Sequence, residues 1–186
     1  MLVSMVNQFK MNQFKSVSLP VLAVALFFVM SAHLAFANEE NSSEAMRKVA
    51  VKQVTDLVAD AREANNKQVP VLIMFSMAHC GYCRQVEEDF LKPMLRNSDY
   101  DSKVLIRKVV LDSGRSLVDF NGNVHDAGEM GGEYHVSMVP TLILFDAKGK
   151  RLSDPIVGLA NPYYYGGELD VAIDNSLQKI RAIAKR

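Results

Sequence analysis

Cys80 and Cys83 form a Cys-Gly-Tyr-Cys motif and are the only two cysteines of the chain. Two thiols at this spacing can form a disulfide bond and exchange it with another thiol or disulfide. An apolar run precedes Cys80 and helical periodicity follows Cys83, so Cys80 is predicted in the first turn of a helix. Backbone N–H groups and the helix dipole stabilise a thiolate at that position. We therefore expect Cys80 to be the exposed nucleophile and Cys83 the inward-facing thiol that resolves a mixed disulfide.

The sequence leaves three other roles for the cysteine pair open. A purely structural disulfide is disfavoured, because so short a loop removes little entropy from the unfolded chain. A soft metal such as copper(I) could bind both thiols together with nearby histidine or methionine side chains. The candidate additional ligands are His79, His125, His135, Met74 and Met77. The third alternative is a substrate-binding chaperone with incidental thiols. Redox exchange is the preferred interpretation, and no metal ligand is assigned.

Composition places this motif in one ordinary globular domain. The chain has 186 residues, of which 49% are hydrophobic, so global disorder is excluded. It carries 21 basic and 21 acidic residues without a dense basic stretch, which argues against a nucleic-acid partner. Two cysteines are also too few for a disulfide framework or a four-thiolate zinc site.

The N-terminus has the pattern of a secretory signal. Lys10 and Lys15 precede an apolar stretch over about residues 17–30, and the segment ends in Ala35-Phe36-Ala37. A basic region, an apolar region and a small-x-small exit predict cleavage after Ala37, leaving a mature domain of residues 38–186. The alternative is an uncleaved membrane anchor over residues 17–37, and only in that case is membrane contact expected.

The periodicity of the mature part alternates between helices and strands around the cysteines. This order predicts an α/β fold with a central mixed sheet flanked by helices. Within residues 113–133, which form a polar, glycine-rich insertion, Asn121-Gly122 predicts a hairpin turn. Pro93 should kink or end the helix that follows the cysteines. The predicted helices are 43–66 (begun by a capping box at Asn41), the segment after Cys83, 126–134 and 168–184; the predicted strands are 69–76, 103–111, 117–120 with 124–125, 141–145 and 151–158.

Two segments carry a family resemblance that covers about residues 45–185. The sequences from Phe75 to Arg84 and from Val139 to Asp146 look like the thioredoxin superfamily, and more narrowly like exported bacterial thioredoxin-like thiol–disulfide oxidoreductases. The resemblance implies a thioredoxin-like fold with an N-terminal helix extension and the insertion placed before a cis-proline strand. It also implies a periplasmic enzyme whose only redox group is the Cys80–Cys83 disulfide, with no cofactor. Its partners would be protein or small-molecule thiols and disulfides, including a membrane or soluble redox partner.

The resemblance also suggests roles for residues around the cysteines. It implies that Val139-Pro140 is a cis peptide beside the cysteine pair, where the Val139 backbone can pair with an extended substrate segment. Ordinary thioredoxins have a tryptophan before the first cysteine and a buried acid six residues before it; here those positions hold His79 and Met74. A protonated His79 would stabilise the Cys80 thiolate, and the intervening dipeptide Gly81-Tyr82 is similar to that of bacterial disulfide isomerases. Without the acid, deprotonation of Cys83 depends on another group or on water.

Overall fold

The structure, a computed structural model, describes residues 49–184. Its central sheet has the strand order β2-β1-β5-β6, with strands at Val71–Ser76 (β1), Leu105–Val110 (β2), Thr141–Phe145 (β5) and Ile156–Val157 (β6). Strand β1 runs parallel to β2 and antiparallel to β5, and β6 is antiparallel to β5. Every residue of β1 is buried, as expected of an uninterrupted apolar run in a strand covered on both faces. The predicted mixed sheet is confirmed.

Helices cover both faces of this sheet, and the side chains of each strand alternate between two apolar clusters. One face lies under the helices α2 (Gly81–Val86) and α5 (Pro162–Ala184), and we call it the α2/α5 face. The other face lies under α1 (Leu57–Lys67) and α4 (Ala127–Glu133). The α2/α5 face includes Leu72, Met74, Val86, Ile106, Leu142, Leu144, Leu169 and Ile173, and the opposite face includes Leu57, Ala64, Ile73, Phe75, Val109, Met130, Ile143 and Phe145.

The helix that starts at the cysteines is irregular near Pro93. After α2 the chain makes a π-helical turn at Glu87–Leu91, continues as α3 at Lys92–Arg96, and ends in a 3₁₀ turn at Ser98–Ser102. Pro93 has no N–H to donate to the preceding turn, so the ordinary hydrogen-bond pattern cannot continue through it. The sequence located the irregularity correctly, but the chain widens into a π turn before the proline instead of ending there.

The predicted N-terminal helix is wrong over residues 49–56. Helix α1 begins at Leu57, where the Asp56 side chain caps it by accepting the N–H of Ala59 at 3.0 Å. Residues 49–56 are extended and form isolated bridges to β2 and to the insertion. The prediction placed Ala50 and Val54 on one face of a helix. In the structure Ala50 is exposed, whereas Val51 and Val54 are buried in a strand-like segment beside β2. The predicted capping box at Asn41 and residues 43–48 lie outside the described residues, as does the predicted signal.

The insertion forms its own small structure. Strands β3 (Ser116–Val118) and β4 (Val124–Asp126) form an antiparallel hairpin, with Gly122 in the turn at a φ of 89°. Helix α4 follows, and Asp126 with Glu129 forms a complete capping box at its start. The hairpin and short helix predicted for this region are confirmed.

The C-terminal elements differ in length from the prediction. The strand predicted over 151–158 is reduced to β6 and an isolated bridge between Arg151 and Phe145. Helix α5 begins six residues before the predicted start, because Pro162 suits the first helical position and the Asn161 side chain accepts the N–H of Tyr163 at 3.1 Å. None of the helices described between residues 49 and 184 has the length and apolar character required to cross a membrane.

Candidate functional site

The cysteine pair lies at the junction between β1 and α2. Cys80 and Cys83 form a disulfide with an S–S distance of 2.04 Å and a Cα–Cα distance of 5.2 Å. Cys80 occupies the N-cap position of α2, and its Sγ accepts the backbone N–H of Cys83 at 3.0 Å. Cys80 is half-buried, whereas Cys83 is only 2% exposed. The two sulfurs therefore differ in access to an incoming molecule, and the accessible one is hydrogen bonded to a group that would stabilise its thiolate.

The loop before Cys80 is held by a side chain that sequence analysis missed. The N–H of Ala78 donates to Asp112 Oδ1 at 2.8 Å, and the N–H of Cys80 donates to the carbonyl of Met77 at 3.3 Å. Asp112 lies two residues after the end of β2, and the parallel strands β1 and β2 end on the same side of the sheet. An acid shortly after the neighbouring parallel strand was the available signal, but strand order is needed to interpret it.

Val139 and Pro140 come directly before β5, on the same side of the sheet as the cysteine loop. Their peptide bond is cis, as predicted, and the adjoining Thr141 pairs with Phe75 near the end of β1. Pro140 is buried, and its carbonyl accepts the N–H of Gly158 at 2.7 Å. Among the described residues, the backbone N–H and C=O of Val139 have no hydrogen-bond partner. An unpaired backbone segment therefore lies at the edge from which the cysteine loop emerges.

Exposed apolar side chains occur on the segments that meet at this edge. Met77 precedes the cysteines, Tyr82 lies between them, Met138 precedes the cis peptide and Val157 pairs with Thr141. Their exposed fractions range from 44% for Met77 to 65% for Tyr82. Large exposed apolar groups gathered on adjoining segments are typical of a surface that contacts a partner.

The other residues predicted to tune the thiolate are at the surface. His79, Gly81 and Tyr82 are all exposed, and a Cβ on Gly81 would meet nothing within 4 Å. Within residues 49–184 the His79 ring has no hydrogen-bond or ion-pair partner. The structure thus places these three residues beside Cys80 along the chain without a direct bond from the His79 ring to the sulfur.

Of the residues considered as additional metal ligands, Met77 and His79 lie next to Cys80 along the chain, whereas Met74 and His125 make contacts elsewhere. Met74 is fully buried in the apolar cluster of the α2/α5 face, and His125 Nε2 lies 3.1 Å from Asp119 Oδ2 in the insertion. Between residues 49 and 184, the group of three or more possible ligands within 4.8 Å of one another consists of Asp119, His125 and Glu133. Neither cysteine belongs to it. No donor set of this kind joins the thiols to the histidines in the described part.

Comparisons with known proteins agree with this fold. The family model of the thioredoxin-like domain matches residues 57–172. The thioredoxin of Pyropia yezoensis is 30% identical over 112 residues, which cover 59% of this chain and 85% of that protein. The chain therefore belongs to the thioredoxin-like family, and its enzyme class is thiol–disulfide oxidoreductase.

Two solved structures are among those similar to this chain. The oxidized mitochondrial thioredoxin 3 of Saccharomyces cerevisiae is 21% identical, with a TM-score of 0.45 over 67% of this chain and 94% of that chain. A DsbH oxidoreductase is 17% identical, with a TM-score of 0.48 over 68% of this chain and 88% of that chain.

Proposed function

We propose that the chain is an exported thiol–disulfide oxidoreductase that works through a mixed disulfide on Cys80. In the reduced protein the Cys80 thiolate attacks one sulfur of a substrate disulfide and expels the other sulfur as a thiolate. Cys83 then loses its proton and attacks Cys80 Sγ, which forms the Cys80–Cys83 bond and releases the second substrate thiol. The observation that carries this assignment is the half-buried Cys80 sulfur at the start of α2, with the buried Cys83 as its disulfide partner.

Polypeptide segments fit the surroundings of Cys80 better than small thiols alone. The unpaired Val139 backbone can bond an extended chain, and the exposed Met77, Tyr82 and Met138 side chains can contact its apolar residues. A membrane or soluble redox partner would use the same surface to restore the oxidation state of the pair. His79, when protonated, would add a positive charge beside the Cys80 thiolate.

The basic and apolar N-terminal pattern supports export to the periplasm, with removal of residues 1–37. Sequencing the mature N-terminus after expression in a bacterial host tests this part of the proposal. We expect Asn38 as the first residue; a protein that retains residues 1–37 and stays in the cytoplasm would contradict it.

Trapping of a mixed disulfide tests the chemistry. Cys83→Ser removes the resolving thiol, so the variant should accumulate reductant-sensitive adducts through Cys80 during mild oxidation. Cys80→Ser is the matched control, because its one remaining thiol is that of the buried Cys83. Equal labelling of both variants, or no adduct with either, would refute the assignment of Cys80 as nucleophile.

A further inference from the structure

The resolving step needs an acceptor for the proton of Cys83. Because Cys83 is only 2% exposed, its thiol proton has poor access to bulk water. The strand that leads to the cysteines does not supply a proton acceptor on this face. Its residue Met74 is fully buried, and the thioether of methionine is not basic. A polar group on the same face of the sheet could accept the proton, either directly or through a water molecule.

Glu87 and Lys108 form an ion pair on this face. Glu87 lies one helical turn after Cys83, and its N–H donates to the carbonyl of Cys83. Residues four apart share one side of a helix, with Cβ atoms about 5–6 Å apart. The side chain of Glu87 is 15% exposed, so most of it is buried against the protein.

Lys108 fixes the position of the Glu87 carboxylate. Its Nζ donates to both carboxylate oxygens, at 3.0 and 2.7 Å, and its side chain is 23% exposed. Lys108 is the register partner of Met74, so it rises from the sheet on the face that α2 covers. The ion pair thus links the sheet directly to the helix that carries Cys83.

The other groups around this pair leave Glu87 as the base closest along the helix to Cys83. On the same helix Arg84 and Glu88 are exposed. The extended segment 49–56 contributes Gln53, which bridges to Lys108 and does not titrate. On α5 the buried titratable group is Tyr165, and burial raises the pKa of its hydroxyl, so it stays neutral in the working range.

We propose that Glu87 accepts the Cys83 proton when the mixed disulfide is resolved, and that Lys108 is a positioning residue for this carboxylate. The inference rests on the proposed function. The proton moves from Cys83 Sγ to Glu87, directly or through one water molecule, and the resulting thiolate attacks Cys80 Sγ. The bond between Cys80 and the substrate sulfur breaks, the substrate thiolate leaves, and Glu87 passes its proton to solvent.

Stopped-flow reaction of the reduced protein with the aromatic disulfide dithionitrobenzoate separates the two steps. The first equivalent of released thionitrobenzoate reports the attack by Cys80, and the second reports the attack by Cys83. Glu87→Gln should slow the second phase at least about tenfold near neutral pH and leave the first unchanged. The difference should narrow above about pH 9, where a thiol of ordinary pKa ionises without help. Lys108→Gln should slow the second phase by a smaller factor.

Glu88→Gln is the matched control, since it removes one negative charge from the adjacent exposed residue, which pairs with Lys92. Both phases should keep the wild-type rates in this variant. If Glu87→Gln lowers the melting temperature but leaves both phases and their pH dependence unchanged, the pair is purely structural and the inference fails while the proposed function stands. A wild-type protein that releases no thionitrobenzoate would overturn the proposed function as well.

Discussion

Asp119 should stabilise the insertion through a charge that is held by hydrogen bonds. Its side chain is 3% exposed, and Oδ1 accepts the N–H groups of Asn121 and Asn123 at 2.8 and 2.7 Å. Oδ2 accepts Asn123 Nδ2 at 3.2 Å and lies 3.1 Å from His125 Nε2. Burial by itself raises the pKa of Asp119, but these hydrogen bonds outweigh it and lower the pKa to about 2.

The size of the effect follows from the difference between folded and unfolded states. A pKa that falls from 3.8 in the unfolded chain to about 2 in the folded one corresponds to about 2 kcal/mol of stability at pH 7. Because the folded pKa is the lower one, this stability is present above the unfolded pKa and is lost as the pH falls through about 2. Asp119→Asn should therefore lower the free energy of unfolding by about 2 kcal/mol at pH 7.

Urea unfolding at a series of pH values checks this reasoning. The difference between wild type and Asp119→Asn should be present above the unfolded pKa of 3.8 and should close as the pH falls towards about 2. Asp154→Asn, a change of an exposed acid in another loop, serves as a control and should shift stability by less than about 0.5 kcal/mol. A difference for Asp119→Asn that does not change between pH 7 and pH 2 would refute the electrostatic explanation.

Two further predictions concern single contacts. Asp112→Ala removes the acceptor of the Ala78 N–H and should lower the free energy of unfolding of the oxidised protein, measured in urea, by about 1 kcal/mol. Asp112→Asn keeps an acceptor oxygen and should lose less than half of that. Equal losses in the two variants would contradict a hydrogen-bond role. The buried Tyr165 hydroxyl has no hydrogen-bond partner among residues 49–184. Tyr165→Phe should keep the ring contact with Phe90, whose centroid lies 4.8 Å away, and should raise the free energy of unfolding by about 1 kcal/mol. A lower melting temperature for this variant would contradict the prediction.

Local patterns predicted most elements near the site. The unbroken apolar run that contains Val71–Ser76 could be interpreted as a doubly covered strand, and Thr141–Phe145 matched its predicted bounds. Asn121-Gly122 marked the hairpin because its turn needs a positive φ, which glycine adopts readily. The position of Cys80 at a helix start also followed from the change of periodicity at the motif. In each case the physical cause lies within a few residues of the feature.

Contacts between distant segments could not be predicted from local sequence patterns. Val51 and Val54 have a spacing compatible with a helix, and only the free edge of β2 beside them makes an extended segment the better way to bury them. The buried ion pair between Arg107 and Asp60, at 2.8 Å, joins residues that are 47 positions apart. Periodicity carries no information about which of several strands will be a neighbour.

The candidate site combines features that local sequence predicts with features that depend on contacts between distant segments. The spacing of Cys80 and Cys83 along the chain was enough to predict a dithiol that can close on itself, because three residues of a first helical turn bring the two sulfurs together. The groups that surround it, Asp112 on the loop and the Glu87–Lys108 pair beside the helix, come together only when β2 lies parallel to β1 beneath α2. A covalent pair needs only local geometry, whereas the charges that control its protons depend on how the sheet is ordered.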